Sequence, residues 1–324
     1  MDPMTPEQSA RVLAEYGMTR ESIARDVAAI RAWLEKQPHL PKDDVDDTQI
    51  ERLLIRCKNS VVVAQRRLDD MYTVRSDMPD FYRGRDPLGA EMQNLMKVVG
   101  VCVMPRLTPD LNRVSLIRLL DTDVDKFNVE AFLKLAFMGQ DVILREPATL
   151  GDVLLFDARG YTVAHAVGAN PVLIRKAVSH VKDPMILYNG CMVSVSSSSY
   201  RLLQRTYPAR VTGIHVLFPP SFADRILNII KSFLPEKLAN RIHTHNTLES
   251  LLEHIPQDVL PKDYGGQERT SDELCETWKQ KLISYREYFL STEKLHSNEN
   301  LRLEKRKDRS TSNIEGSFRK LDID

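Results

Sequence analysis

His243 and His245 stand two residues apart in the stretch IHTH, so in an extended strand both imidazoles leave one face. Two imidazoles on one face can begin a metal site. No cysteine and no obvious third ligand accompanies them, and His215 is only a distant candidate, so no metal is expected. His165, at a helix start, reads as structural. Asp157-Ala158-Arg159-Gly160 sets a carboxylate at a strand end, but aspartate before glycine is ordinary turn chemistry. The chain has no GxSxG nucleophile elbow, no GxxxxGK[ST] loop and no GxGxxG, so no enzyme activity is expected and no catalytic residue is assigned. The cations are more informative. Arg56, Lys58, Arg210, Lys237 and Arg241, if brought together, would bind a multiply charged phosphate, arginine in bidentate fashion and lysine as a point charge. Scattered, they are ordinary solvated surface charge. Sequence alone leaves both possibilities open.

The segment that must position these groups runs from Tyr207 to His245. Val211 to Phe218 is mostly apolar and β-prone, which predicts a strand covered on both faces. Pro219-Pro220 stops it, because neither residue donates a ladder hydrogen bond. Ser221 then caps a helix on which Phe222, Ile226, Ile229, Ile230 and Phe233 recur at helical spacing. Such a helix between proline-marked joints suits either a core helix or a lid over an apolar cavity. Pro235 can open a further helix, with Lys237 and Arg241 one turn apart on one face.

Upstream, Thr5-Pro6-Glu7-Gln8 is a capped helix start and Gly17 a helix end. Thr19 starts a second helix with the stripe Ile23, Val27, Ile30 and Leu34. A third carries Ile50, Leu53 and Leu54, and a fourth spans about Val61 to Val74. Residues 1–80 therefore read as an all-helical module with one-sided stripes that need a partner. A helix at 88–98 follows, then strands at Val99 to Met104 and Arg113 to Leu120, and a helix capped by Asn128 that runs to about Leu144. Asp152 to Asp157 is a strand, a helix lies near His165, and a short strand falls at 242–245. Strands separated by helices predict an α/β fold with a mixed, largely parallel sheet. The serine run Ser196 to Ser199 disfavours a helix. Ser271 to Leu290 forms a helix with the stripe Leu274, Trp278, Leu282 and Tyr285, and the polar tail from about Ser291 is expected to be disordered.

Composition narrows the classes. Lysine plus arginine and aspartate plus glutamate both number 45, so no global field attracts nucleic acid or an anionic membrane. At 324 residues, 42 % hydrophobic and 28 % charged, about two domains are expected. Cys57, Cys102, Cys191 and Cys275 form no CxxC pair, which suits a reducing compartment. The polar N-terminus shows no secretory signal, and no apolar run spans a bilayer. A cytoplasmic location is expected. No oligomer signal is visible, so a monomer is expected.

YPARVTGIH, the apolar helix, SFLPEKLANRIHTH, LESLLEHIP and LPKDYGG occur in that order. Over about residues 48 to 266 they make the chain resemble the CRAL-TRIO family of lipid-transfer proteins. The branch it resembles holds α-tocopherol transfer protein, cellular retinaldehyde-binding protein and the clavesins. The resemblance implies a helical module at 1–80, a lipid-binding domain at 88–266 in which 184–203 reads as an insertion, and a helix and tail at 267–324. It implies a gate helix at about Ser221 to Ser232 over an apolar cavity. Phe156, Val163, Val211, Ile214, Val216, Phe222, Ile226, Ile229 and Ile230 would form its pocket and gate. No cofactor is implied; a lipophile such as a tocopherol, retinoid or phospholipid would be the cargo. Arg210, Lys237 and Arg241, with Arg56 or Lys58, would form a basic cleft for phosphatidylinositol bisphosphate, coupling peripheral membrane docking to transfer. Thr212 stands where relatives often carry a second basic residue, which implies a weaker cleft. A trafficking adaptor that binds the headgroup without transferable cargo is the alternative.

Overall fold

The computed structural model describes residues 1–167, 210–233 and 236–303. Residues 184–203, read from the sequence as an insertion, lie outside the described residues. So do the side chains of Ile229 and Ile230, and Pro235.

Helix formation follows local signals closely. Thr5 and Gln8 complete a capping box on α1 (Pro6–Glu15), and Gly17 takes the left-handed conformation (φ 59°) after it. Thr19 and Ser22 cap α2 (Arg20–Leu34), whose stripe Ile23, Val27, Ile30 and Leu34 is buried. Asp46 caps α3 (Asp47–Arg56) and Ser60 caps α4 (Val61–Asp77). Lys58 and Asn59, both at positive φ (54° and 62°), make the tight link between α3 and α4. A short α5 (Pro79–Tyr82) leads to α6 (Ala90–Val98), which runs straight into the sheet.

Five strands are hydrogen-bonded in chain order: β1 (Val99–Leu107), β2 (Asn112–Leu119), β3 (Gly151–Asp157), β4 (Val211–Leu217) and β5 (Ile242–His245). The β1–β2 pair is antiparallel and the other three pairs are parallel. The fold is thus α/β with a mixed, mostly parallel sheet. Connections include α7 (Val129–Arg145), capped by Asn128, and α8 (Val163–Val167) after β3. β4 and β5 are joined through α9 (Ala223–Phe233) and α10 (Glu236–Ala239). After β5 come α11 (Leu248–Leu252), α12 (Ser271–Ser284) and α13 (Arg286–Ser291).

Both sheet faces are covered, as continuous apolar strands require. Ile117, Leu154, Phe156, Ile214 and Val216 belong to a core that extends through α7 and α9 into the helices of residues 1–82. Leu116, Val153, Leu155 and Leu217 belong to a second core closed by Leu251, Ile255, Leu260, Tyr264 and Leu274. Among the described residues no helix is long and apolar enough to cross a membrane.

The C-terminal end departs from expectation twice. The predicted helix from Ser271 to Leu290 breaks at Tyr285, which leaves helical geometry (φ −97°, ψ 11°), and α13 starts anew at Arg286. Residues 292–303, expected to be disordered, fold back onto the helical module. Ser297 N donates to Tyr72 O (2.9 Å) and Asn298 N to His39 O (2.8 Å). Arg302 places Nη1 2.8 Å from Asp69 Oδ2 and Nη2 2.8 Å from Asp69 Oδ1. Polar pairing, invisible to a hydrophobicity argument, orders this segment.

Candidate functional site

The strand register aligns apolar side chains in rows across β2, β3, β4 and β5. Ile117, Phe156, Val216 and Thr244 form one row, and Ser115, Leu154, Ile214 and Ile242 the next. Helix α9 lies over this face. Its entry is sharp: Phe218 adopts φ 53°, and Pro219 and Pro220 follow before the helix begins. A residue with a β-carbon at positive φ is held there by its surroundings. Among the described side chains of α9, Ala223 and Leu227, one turn apart, are buried. Phe222 and Ile226, which the sequence stripe placed inward, are half-buried beside them.

The predicted pocket residues divide accordingly. Phe156, Val211, Ile214 and Val216 are buried on the α9 face. Val211 joins this face through a register shift: Asp152 pairs with Val211 and Val153 with Gly213, so Thr212 is the extra residue of a bulge. Val163 is 51 % exposed. It starts a five-residue helix whose inward side chain is His165, capped by Thr162. Farther along this sheet face, toward β1, a cavity of about 40 Å³ is lined by Val103, Ile117, Phe132, Leu135, Leu154 and Trp278, among others. None of the seven predicted pocket residues with described side chains lines it.

The basic residues gather at the opposite end of the strands from Phe218. Arg210 O accepts from Asp152 N (2.8 Å), and Arg210 Nη1 donates to Tyr16 Oη (2.9 Å) of the α1–α2 link. Glu15 Oε1 lies 3.9 Å from the same guanidinium. Arg241 donates through Nη1 to Val211 O, next in sequence to Arg210, while its own carbonyl accepts from Ile214 N (2.8 Å). Arg56 Nη2 donates to Ile143 O (3.1 Å), and its buried Nε has no partner among the described residues. Burial raises the Asp152 carboxyl above its ordinary pKa, opposed by the nearby Arg56 and Arg113 guanidinium groups. Burial also pulls Arg113 down to about 10, against the pull of Asp152.

Arg56, Arg210 and Arg241 are thus brought to one sheet end. Lys58 and Lys237 sit on the segments that carry Arg56 and Arg241, and both are exposed. No contact joins either lysine to the three arginines among the described residues. The predicted single helix face for Lys237 and Arg241 is corrected: α10 ends at Ala239, and Arg241 belongs to the turn into β5. Sequence reasoning missed Asp152, Arg113, Glu15 and Tyr16. Their only sequence signal is polarity, because the fold joins positions far apart in the chain. Chemically, the site is a three-arginine edge with two open lysines nearby and a buried carboxyl behind it. Such an edge suits a multiply charged anion.

The CRAL/TRIO domain family matches residues 185–266, and the Pinta-like UBA domain family matches residues 19–92. The human alpha-tocopherol transfer protein-like protein is 25 % identical over 270 residues, 82 % of this chain and 71 % of its own length. Rat clavesin-2 is 21 % identical over 285 residues, 87 % of this chain and 80 % of its own. The crystal structure of Sfh5 aligns with a TM-score of 0.45 at 14 % identity, covering 70 % of this chain and 74 % of that one. The chain carries a CRAL/TRIO match that takes in β4, α9, α10 and β5, and as a whole it resembles CRAL-TRIO proteins of the tocopherol-transfer and clavesin kind.

Proposed function

We propose that the chain is a non-catalytic carrier that encloses a small hydrophobic molecule and docks transiently on phosphoinositide-bearing membranes. The observation that carries this reading is the pairing of two features on one sheet: an apolar face under α9, and a three-arginine edge at the other end of the same strands. Names among the relatives, alpha-tocopherol transfer protein-like above all, support a lipophilic cargo. Burying such a molecule is driven by about 25 cal/mol per Å² of apolar surface removed from water and needs no catalytic group. In this reading Phe156, Val211, Ile214, Val216, Phe222, Ile226, Ile229 and Ile230 wall or gate the cavity. Arg56, Lys58, Arg210, Lys237 and Arg241 hold the inositol phosphates. The domain limits stay at 1–80, 88–266 and 267–324, the location is cytoplasmic, and the carrier acts as a monomer.

Native mass spectrometry of the purified chain, followed by organic extraction, tests the cargo. One lipophile per chain supports the carrier. An empty chain that still binds phosphoinositide vesicles turns the reading to the headgroup-binding adaptor. Lys237→Glu together with Arg241→Glu reverses two cations, and vesicle affinity should fall at least tenfold. Unchanged affinity removes the basic edge from the docking surface.

A further inference from the structure

We propose that His215, His243, His245 and His254 form a binding site for a transition-metal ion of the zinc class, on the sheet face opposite α9. By spacing alone, His243 and His245 lack a third ligand. The fold supplies two more. Register sets His215 directly beside His243 in the β4–β5 ladder. The turn after α11 brings His254 over all three.

The rings form a compact group. Ring centres are 5.2 Å apart for His215–His243, 5.1 Å for His215–His245 and 5.5 Å for His215–His254. They are 4.9 Å apart for His243–His254 and 5.1 Å for His245–His254. Four imidazoles around one zinc at a metal–nitrogen distance of about 2.0–2.1 Å have ring centres about 5 Å apart. Five of the six ring pairs therefore already stand at about that spacing.

Outer hydrogen bonds are also of the kind that orient metal-binding imidazoles. His254 Nδ1–H donates to Ser250 O (3.2 Å), leaving Nε2 as its ligand atom. His245 Nδ1 lies 2.9 Å from Ser250 Oγ, leaving Nε2 likewise. That Nε2 meets His215 Nδ1 at 2.9 Å. Two ligands on a tetrahedral zinc are separated by about 3.3 Å. The ion takes the place of this hydrogen bond.

Among the described residues no three ligating groups surround a common point as they stand. His215 is nearly parallel to His243 and His245, at interplanar angles of 20° and 18°. The rings must turn to converge. The two that turn most easily are the half-buried His243 and the exposed His254, which also give the ion its entry from solvent. His215 and His245 are buried and fixed. Gly213 leaves room for His215: a β-carbon there would lie 2.7 Å from His215 Nε2.

Charge permits occupancy. Lys231 near His243 opposes a cation, and Glu253 near His245 favours one. An all-imidazole donor set selects zinc, copper or nickel over magnesium.

The test is calorimetric titration of the tag-free full chain with zinc chloride at pH 7.5. One equivalent should bind in the micromolar range, and magnesium chloride should give no binding. His243→Ala with His254→Ala changes only the two accessible rings, and its circular dichroism should match the parent. This variant should lose at least tenfold in zinc affinity. Absence of zinc binding by the parent, or equal binding by the variant, overturns the proposal.

Discussion

Asp157 ends β3 with its carboxylate between two donors. Tyr264 Oη donates to Oδ2 at 2.7 Å, and Arg159 donates through its backbone N and Nε to Oδ1, each at 3.0 Å. Burial works to raise its pKa, but these bonds outweigh burial and hold it below the ordinary value of 3.8. A lowered folded pKa means the unfolded chain takes up protons first as pH falls. The stabilisation is therefore complete above the ordinary carboxylate range and disappears as pH drops through the folded value. Tyr264→Phe should cost about 1.5–3 kcal/mol at pH 7, the size of a hydrogen bond to a charged group. Urea unfolding at pH 7 and at pH 3 should show that gap shrinking in acid; an equal gap at both would mean that Tyr264 acts by packing alone. The turn reading of Asp157-Ala158-Arg159-Gly160 was visible in the sequence, since Gly160 takes φ 77° there. Tyr264 was not, because 107 residues separate the bonded pair.

Individual elements were more legible than their facing. Caps and breakers act within a few residues, so Thr5, Thr19 and Asn128 mark helix starts, and Pro219-Pro220 marks the end of β4, directly in the sequence. Which face of α9 turns inward depends on the sheet below it, and the structure selects Ala223 and Leu227. Leu227→Ala should destabilise by about 2–5 kcal/mol if the site cannot collapse. Because α9 is tied down mainly by this side, the change should raise amide exchange over 223–233 more than over β3. Uniform acceleration would show instead that α9 and the sheet open as one unit. The basic edge was half legible: the residue types were evident, whereas the meeting of Arg56, Arg210 and Arg241 depends on three separate chain segments.

At the scale of the molecule, the helical module and the sheet share one core, and a buried ion-pair group ties the two together. Arg85 Nη1 lies 2.6 Å and Arg75 Nη2 3.2 Å from Asp141 Oδ2 on α7. Arg85 Nη2 also reaches Thr292 Oγ1 at 3.3 Å. Removing one member of a buried pair strands the other charge, so Asp141→Asn should cost about 3–5 kcal/mol. Thermal unfolding monitored on both halves should move together; separate transitions would contradict a shared core. Sequence reasoning divided the chain at about residue 80, where helices give way to strands. It left open whether the one-sided stripes of the first part pack on one another or on the second, and both belong to one core.

The docking of Arg302 onto Asp69 has a consequence for synthesis. The partners are 233 residues apart. On a ribosome adding about 5–20 residues per second, Asp69 waits roughly 10–50 s for its arginine. During that time the first-made helices lack the strap that closes over them, and they are sealed only after the turn at Glu299–Leu301 has left the exit tunnel.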